Sequence, residues 1–210
     1  DLPCMDDDDI RRGKPSTHKK FGESTAILSG NSLLTLAFEI LSDKKLKIKN
    51  KIKTELIYSL SICSGYSGMA GGQYLDLNFE HKKVSKLQLM EMQNKKTGKL
   101  FSFCCSSSAI IKEKKLSMKR DLSQIGLQIG LLYQISDDLI DVRGNSNKAG
   151  KPTKRDVKRG KATLVNLLGY NNLLEFAYSL KNKLVNKIKK YGRKSHDLLE
   201  SLEYIVQREV

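Results

Sequence analysis

Three carboxylates close a long apolar run in the stretch Gln134-Ile135-Ser136-Asp137-Asp138-Leu139-Ile140-Asp141. Leu122, Ile125, Ile129, Leu132, Tyr133 and Ile140 recur at helical spacing, which predicts a helix with Asp137 and Asp141 one turn apart on a face shared by Gln134. Acids held so close repel one another strongly inside a protein and call for a counter-cation. Oxygen-only ligands with no His or Cys nearby suit Mg²⁺, which keeps several waters and is usually completed by substrate phosphates. A solvated acidic helix end has the same composition, so this run alone leaves both readings open. A second acidic run, Asp6-Asp7-Asp8-Asp9, is followed at once by Arg11 and Arg12. Two acid clusters, with basic residues beside one and downstream of the other, make a site for metal ions plus diphosphate.

The elements that would position these residues read as helices. Ala26, Ile27, Leu33, Leu34, Ala37, Phe38 and Leu41 form a stripe long enough for a buried helix ending at Ser42-Asp43. Lys44 to Lys53 holds six lysines in ten residues, and Leu46 to Ile52 alternates with period two. With no other strand pattern to pair with, this is expected to be a solvated loop leading into a helix at about Lys51, whose face carries Ile52, Leu56, Leu60 and Cys63. Gly65, Gly68, Gly71 and Gly72 are expected where neighbouring helices pack closely, with Gln73 and Asp76 directed toward a cavity. A polar helix end is the other reading of Asp76. Leu87, Leu89, Met90 and Met92 lead to Lys96-Thr97-Gly98, where a glycine inside a helical pattern costs about 1 kcal/mol against alanine and marks an interruption that frees backbone carbonyls. Lys96 also reads as an ordinary exposed lysine. Phe101 to Ile111 suits helix packing, and further stripes run through Leu164, Leu167 and Leu168, then Leu174, Ala177, Leu180, Leu184 and Ile188, then Leu198, Leu202 and Ile205.

Between the second acid cluster and those last stripes, Arg143 to Lys161 carries eight basic residues against one acid, Asp156. Gly144, Gly150, Pro152 and Gly160 make most of it a loop, placed where a lid bringing cations over a bound diphosphate belongs.

Composition narrows the class. The 210 residues, 39% hydrophobic and 29% charged, suit one sizeable globular domain over 1–210. No apolar run approaches the roughly 20 residues that cross a bilayer, so no membrane span is expected. A formal net charge of +15 invites a nucleic-acid reading. The lysines spread over the whole chain without interleaved aromatics or a recognisable nucleic-acid motif, so no nucleic-acid partner is expected. Cys4, Cys63, Cys104 and Cys105 have neither zinc-ligand spacing nor disulfide-scaffold density; they read as small buried apolar residues in a reduced, cytoplasmic setting.

The motifs together resemble the short-chain trans-isoprenyl diphosphate synthases. Asp1-Leu2-Pro3-Cys4-Met5-Asp6-Asp7-Asp8-Asp9-Ile10-Arg11-Arg12-Gly13 is similar to the first aspartate-rich motif in its bacterial form, and Gly72-Gln73-Tyr74-Leu75-Asp76-Leu77, Lys96-Thr97-Gly98 and Asp137-Asp138-Leu139-Ile140-Asp141 resemble the later ones, in the same order. The similarity spans almost the whole chain. It implies an all-α fold, an isoprenoid-synthase-type bundle with two acid-bearing helices facing across a central, apolar cavity. It implies Mg²⁺, as three ions with bound diphosphate, held by Asp1, Asp6, Asp137 and Asp141 with Asp138 nearby. Arg11 is implied to bind the allylic diphosphate and Arg12 isopentenyl diphosphate. Lys96, Lys151 and Lys161 are implied to bind diphosphate, Thr97 and freed carbonyls to face the allylic cation, Gln134 to orient substrate or metal-bound water, and Gln73 and Asp76 to support the centre from behind. The implied reaction condenses dimethylallyl or geranyl diphosphate with isopentenyl diphosphate to farnesyl diphosphate, in a homodimer. Geranylgeranyl diphosphate synthesis, a terpene cyclase and a non-catalytic partner subunit are the alternatives. The family pattern is D-D-x-x-x-x-D, and this sequence begins at its second aspartate; the chain is therefore expected to lack its N-terminal helices and to be poorly active alone.

Overall fold

The computed structural model describes residues 1–143 and 160–207 and is almost entirely helical. A small antiparallel hairpin, β1 (Ile10–Arg11) and β2 (Lys14–Pro15), precedes α1 (Thr17–Phe21), α2 (Glu23–Ser42), α3 (Asn50–Ser64), α4 (Met69–Asn78) and α5 (Lys86–Gln93). A π-helical turn (Asn94–Gly98) runs into α6 (Lys99–Ile111), and α7 (Leu116–Arg143) follows. After the undescribed segment come α8 (Leu164–Leu168), α9 (Tyr170–Ile188), a 3₁₀ stretch (Lys189–Ser195) and α10 (His196–Gln207). The expected all-α class holds; the hairpin at Ile10–Pro15 is the one strand pair among the described residues.

The organising element is α7, roughly 42 Å long for its 28 residues. Ile125, Ile129, Leu132, Ile135 and Leu139 bury on the side it turns to α5, α9 and α10. On α9 the buried residues are Leu173, Ala177, Leu180, Leu184 and Ile188, with Leu174 half-buried. On the other side of α7, Gly126 admits the start of α6 and Gly130 the end of the π turn. A Cβ on Gly130 would stand 2.6 Å from Gly98 Cα, and one on Gly126 2.4 Å from the Phe101 carbonyl oxygen. Neither glycine was singled out from sequence. Of the four expected packing glycines only Gly72 meets another helix, where a Cβ would be 2.0 Å from Lys96 N. At Gly65, Gly68 and Gly71 the nearest backbone is that of residues 61–66, so these glycines shape the α3–α4 connection instead.

Lys44 to Lys49 forms the expected loop and α3 buries Ile52, Leu56, Leu60 and Cys63. A capping box starts α5: Ser85 Oγ accepts from Gln88 N at 3.3 Å while Ser85 N donates to Gln88 Oε1 at 2.8 Å. The interruption expected at Gly98 is the π turn, a single wide turn between two α-helices.

Two expectations need correction. Helix α2 is not buried: it contains no buried residue, and Ile27, Leu28, Leu33, Leu34, Leu36 and Ile40 are exposed. An apolar stripe demands a cover, but among the described elements it is α1 and α3, at its two ends in sequence, that pack on it. By length and composition α2 is also apolar enough to cross a membrane, a property that its scattered Ser, Thr and Gly conceal on reading. The cysteines are not uniformly buried either: Cys4 and Cys104 are exposed and Cys63 buried, all of them free. Cys104 and Cys105 are consecutive on α6, about 100° apart around the axis, so they cannot both face the core.

Candidate active site

A cavity of about 270 Å³ opens where the N-terminal turn, α4, the π turn, the C-terminal half of α7 and residues 161–163 meet. Five residues of α7 line it: Tyr133, and on one helix face at positions i, i+3, i+4 and i+7 Gln134, Asp137, Asp138 and Asp141. The first acid cluster arrives differently. Asp6 and Asp8 line the same cavity from a turn, not from a helix. Asp7 N donates to Leu2 O at 3.0 Å and Asp8 N to Asp1 O at 3.1 Å, with Asp7 at φ 48°. Aspartate tolerates this left-handed backbone, and a run of like charges resists being stacked on a helix.

Basic residues close the ring. Lys161 Nζ donates to Asp6 Oδ1 at 2.7 Å and stands 3.8 Å from Asp76 Oδ2, which Lys96 Nζ approaches to 2.6 Å. Burial alone would raise the Asp6 pKa, but the hydrogen bond and charge of Lys161, with Lys96 beyond, outweigh it and hold the carboxyl well below the usual carboxylate range. Asp76 is thus clamped between two lysines. A hydrogen-bond chain crosses the floor: Thr97 Oγ1 donates to Gln134 Oε1 at 3.1 Å, and Gln134 Nε2 to Asp138 Oδ1 at 3.4 Å. Asp138 Oδ2 accepts from Gln93 Nε2 at 3.4 Å and from Leu164 N at 3.2 Å.

Of the residues singled out from sequence, Asp6, Arg11, Asp76, Lys96, Thr97, Gln134, Asp137, Asp138, Asp141 and Lys161 share this cavity. Asp1, Arg12 and Gln73 do not line it. Asp1 lies 3.8 Å from the Arg11 guanidinium, Gln73 Nε2 is 3.8 Å from Met5 Sδ, and Arg12, at φ 53° in the hairpin turn, is exposed. Lys151 and most of the basic Arg143–Lys161 run lie outside the described residues. Sequence reading missed Gln93 and Thr163 and named Asp8 only as part of the acid run; all three are buried on the cavity wall. Gln93 ends α5 one turn after Leu89, and that register was its available signal. The expected apolar hollow is corrected too: Met92, Tyr133 and Ala162 are the apolar members of a wall otherwise polar or charged.

The donor set fits a hard divalent cation in its chemistry. It is all oxygen, and Asp141 Oδ2 is buried with no hydrogen-bond partner, an orphan that a cation would satisfy. The acids share the wall without converging, however; no three of the described His, Cys, Asp or Glu side chains form a ready cluster. The lysines stand among them as counter-charges.

A helix bundle with acids and lysines from distant parts of the chain around one polar cavity defines a protein built to handle polyanionic ligands. The chain belongs to the polyprenyl synthetase family, whose model matches residues 1–204. It is 38% identical over 208 residues to the farnesyl diphosphate synthase of Micrococcus luteus, covering 99% of this chain and 71% of that enzyme. The Escherichia coli farnesyl diphosphate synthase is 39% identical over 213 residues, again 99% and 71%. The geranyltransferase of Helicobacter pylori, solved with magnesium and isoprenyl diphosphate, superposes with a TM-score of 0.85 at 35% identity, over 99% of this chain and 67% of that one.

Proposed function

We propose that the chain is a trans-prenyltransferase that condenses an allylic diphosphate, dimethylallyl or geranyl, with isopentenyl diphosphate to give farnesyl diphosphate. One observation carries the reading: Asp6 from the N-terminal turn and Asp137 and Asp141 from α7 line a single cavity with Arg11, Lys96 and Lys161. The relatives named above support the product.

Asp6, Asp137 and Asp141 would hold Mg²⁺, as a set of three ions with diphosphate. Bound there, the metal supplies positive charge to the leaving diphosphate. The remaining roles fall to the protein. Lys96 and Lys161 each sit within reach of an acid and can swing their ammonium groups onto phosphate oxygens, while Arg11 offers a planar fork suited to paired bonds with phosphate. As the allylic C–O bond breaks, the electron pair leaves with the diphosphate, and the carbonyls of the π turn with Thr97 Oγ1 face the resulting cation. The double bond of isopentenyl diphosphate attacks that cation, and a proton lost to the released diphosphate completes the product. Gln134, already bonded to Thr97, orients this end of the cavity. Lys151 belongs to the same proposal as a further phosphate ligand, with Arg12 for isopentenyl diphosphate, Asp1 for metal, and Gln73 behind the centre.

We further propose a homodimer, supported by the uncovered apolar residues of α2. Incubation with geranyl diphosphate, labelled isopentenyl diphosphate and Mg²⁺ tests the reaction. A labelled farnesyl diphosphate is expected, at the low rate foreseen for this chain alone. A C20 diphosphate would move the assignment to geranylgeranyl diphosphate synthesis, and diphosphate binding that needs neither Mg²⁺ nor Asp137 to a partner subunit.

A further inference from the structure

We infer that Asp138 is a positioning residue that sets Lys161, rather than a metal ligand; the inference rests on the phosphate-binding role proposed for that lysine. Asp138 and Asp141 are three residues apart on one helix face and almost equally buried, at 4% and 5% exposure, yet their surroundings are opposite. Asp141 Oδ2 has no hydrogen-bond partner. Both oxygens of Asp138 already accept: Oδ1 from Gln134 Nε2, and Oδ2 from Gln93 Nε2 and the Leu164 backbone N–H. Leu164 is wholly buried, so a cation taking Oδ2 would strand an N–H away from water.

The Leu164 N–H opens α8, and the chain just before it is held from both sides. Asn166 N donates to Thr163 Oγ1 and Asn166 Nδ2 to Lys161 O, each at 3.3 Å. His81 N donates to Gly160 O at 2.9 Å. Asp138 therefore fastens α7 to the short segment that aims Lys161 Nζ at Asp6, 2.7 Å away. Thr97, Gln134 and Asp138 extend the same tie to the π turn, so one buried carboxylate sets the spacing of three cavity walls.

The test compares Asp138→Ala and Asp138→Asn with Lys161→Met and Asp137→Ala. In Asp138→Ala, exchange of the Leu164 amide, followed by hydrogen–deuterium exchange, should quicken about tenfold or more, the loss expected for a hydrogen bond to a charged acceptor. Affinity for inorganic diphosphate with Mn²⁺ should fall about as far as in Lys161→Met, and the double variant should lose no more than either single one. Binding of Mn²⁺ alone, read by electron paramagnetic resonance, should be unchanged in Asp138→Asn and reduced in Asp137→Ala. Asp138→Asn should also restore both the protected amide and diphosphate affinity. Its carbonyl, in the place of Oδ2, accepts the same N–H, and its amide, in the place of Oδ1, donates to Gln134 once that side chain turns its oxygen round and its nitrogen to Thr97 Oγ1. Unchanged Leu164 exchange, additive losses in the double variant, or a drop in Mn²⁺ affinity on Asp138→Asn would overturn the inference. Were the wild-type protein to bind neither Mn²⁺ nor diphosphate, the proposed function would fall, while the Leu164 amide would still decide the positioning role.

Discussion

Lys161 and Asp6 are 155 residues apart in sequence, and their charged atoms meet at 2.7 Å across the mouth of the cavity. The lysine stands where a positive charge is needed, so the resting site carries its own counter-ion. Under the proposed function, binding of metal and diphosphate would pull this pair apart, giving the carboxylate a cation and the ammonium a phosphate in exchange.

Removing the lysine tests the electrostatics. The Asp6 pKa is depressed in the folded protein, so its stabilising contribution is complete above the unfolded value, near 4, and is lost as pH falls toward the folded one. Lys161→Met should lower unfolding free energy by about 1 kcal/mol at pH 7 and by somewhat less at pH 3, where the loss of the contribution has begun but is not complete. Urea denaturation at the two pH values measures the difference; an equal loss at both would remove Asp6 as its cause.

Asp141 should trade stability for function. A buried carboxylate oxygen without a donor is costly in the metal-free protein, so Asp141→Asn should raise stability by roughly 1 kcal/mol. The same change should abolish Mg²⁺-dependent binding of a bisphosphonate. Thermal unfolding and calorimetric titration of one sample read both effects, and a variant that is less stable yet still binds would contradict the assignment.

Gly72 is where α4 approaches the π turn. Because a Cβ would stand 2.0 Å from Lys96 N, Gly72→Ala must push the turn away, at a cost of about 2 kcal/mol or more. Chemical denaturation should show the loss. The substitution should weaken diphosphate binding as well, since Lys96 and Thr97 move with the turn.

Thiol chemistry should sort the four cysteines by environment. Burial, with Cys104 alongside, pushes the Cys105 thiol up to about 11, and burial likewise raises Cys63. Thiolate is the reactive form, so brief alkylation of native protein at neutral pH should label Cys4 and Cys104 and spare the other two. Mass spectrometry of the labelled peptides gives the answer.

The helical parts of the molecule were legible because burial imposes a period. The stripe of α7 fixed the face shared by Gln134, Asp137 and Asp141, and Gly98 signalled the π turn. The first acid cluster has no apolar residues in register around it, so nothing in its spacing could tell a turn from a helix. The stripe of α2 showed that one face is apolar but not whether anything lies on it. Lys161 entered through family resemblance, since one lysine among many carries no mark of its own. Gln93, Gly126 and Gly130 were hidden because their importance comes from what stands opposite them: a carboxylate three elements away, and the backbone of α6 and of the π turn.

The most direct measurement is calorimetric titration of a bisphosphonate into the protein with and without Mg²⁺, repeated on Asp137→Ala. Binding that requires Mg²⁺ and disappears in the variant is the expected result. Metal-independent binding, or full affinity retained without the Asp137 carboxylate, would contradict the assignment of this cavity as a metal–diphosphate site.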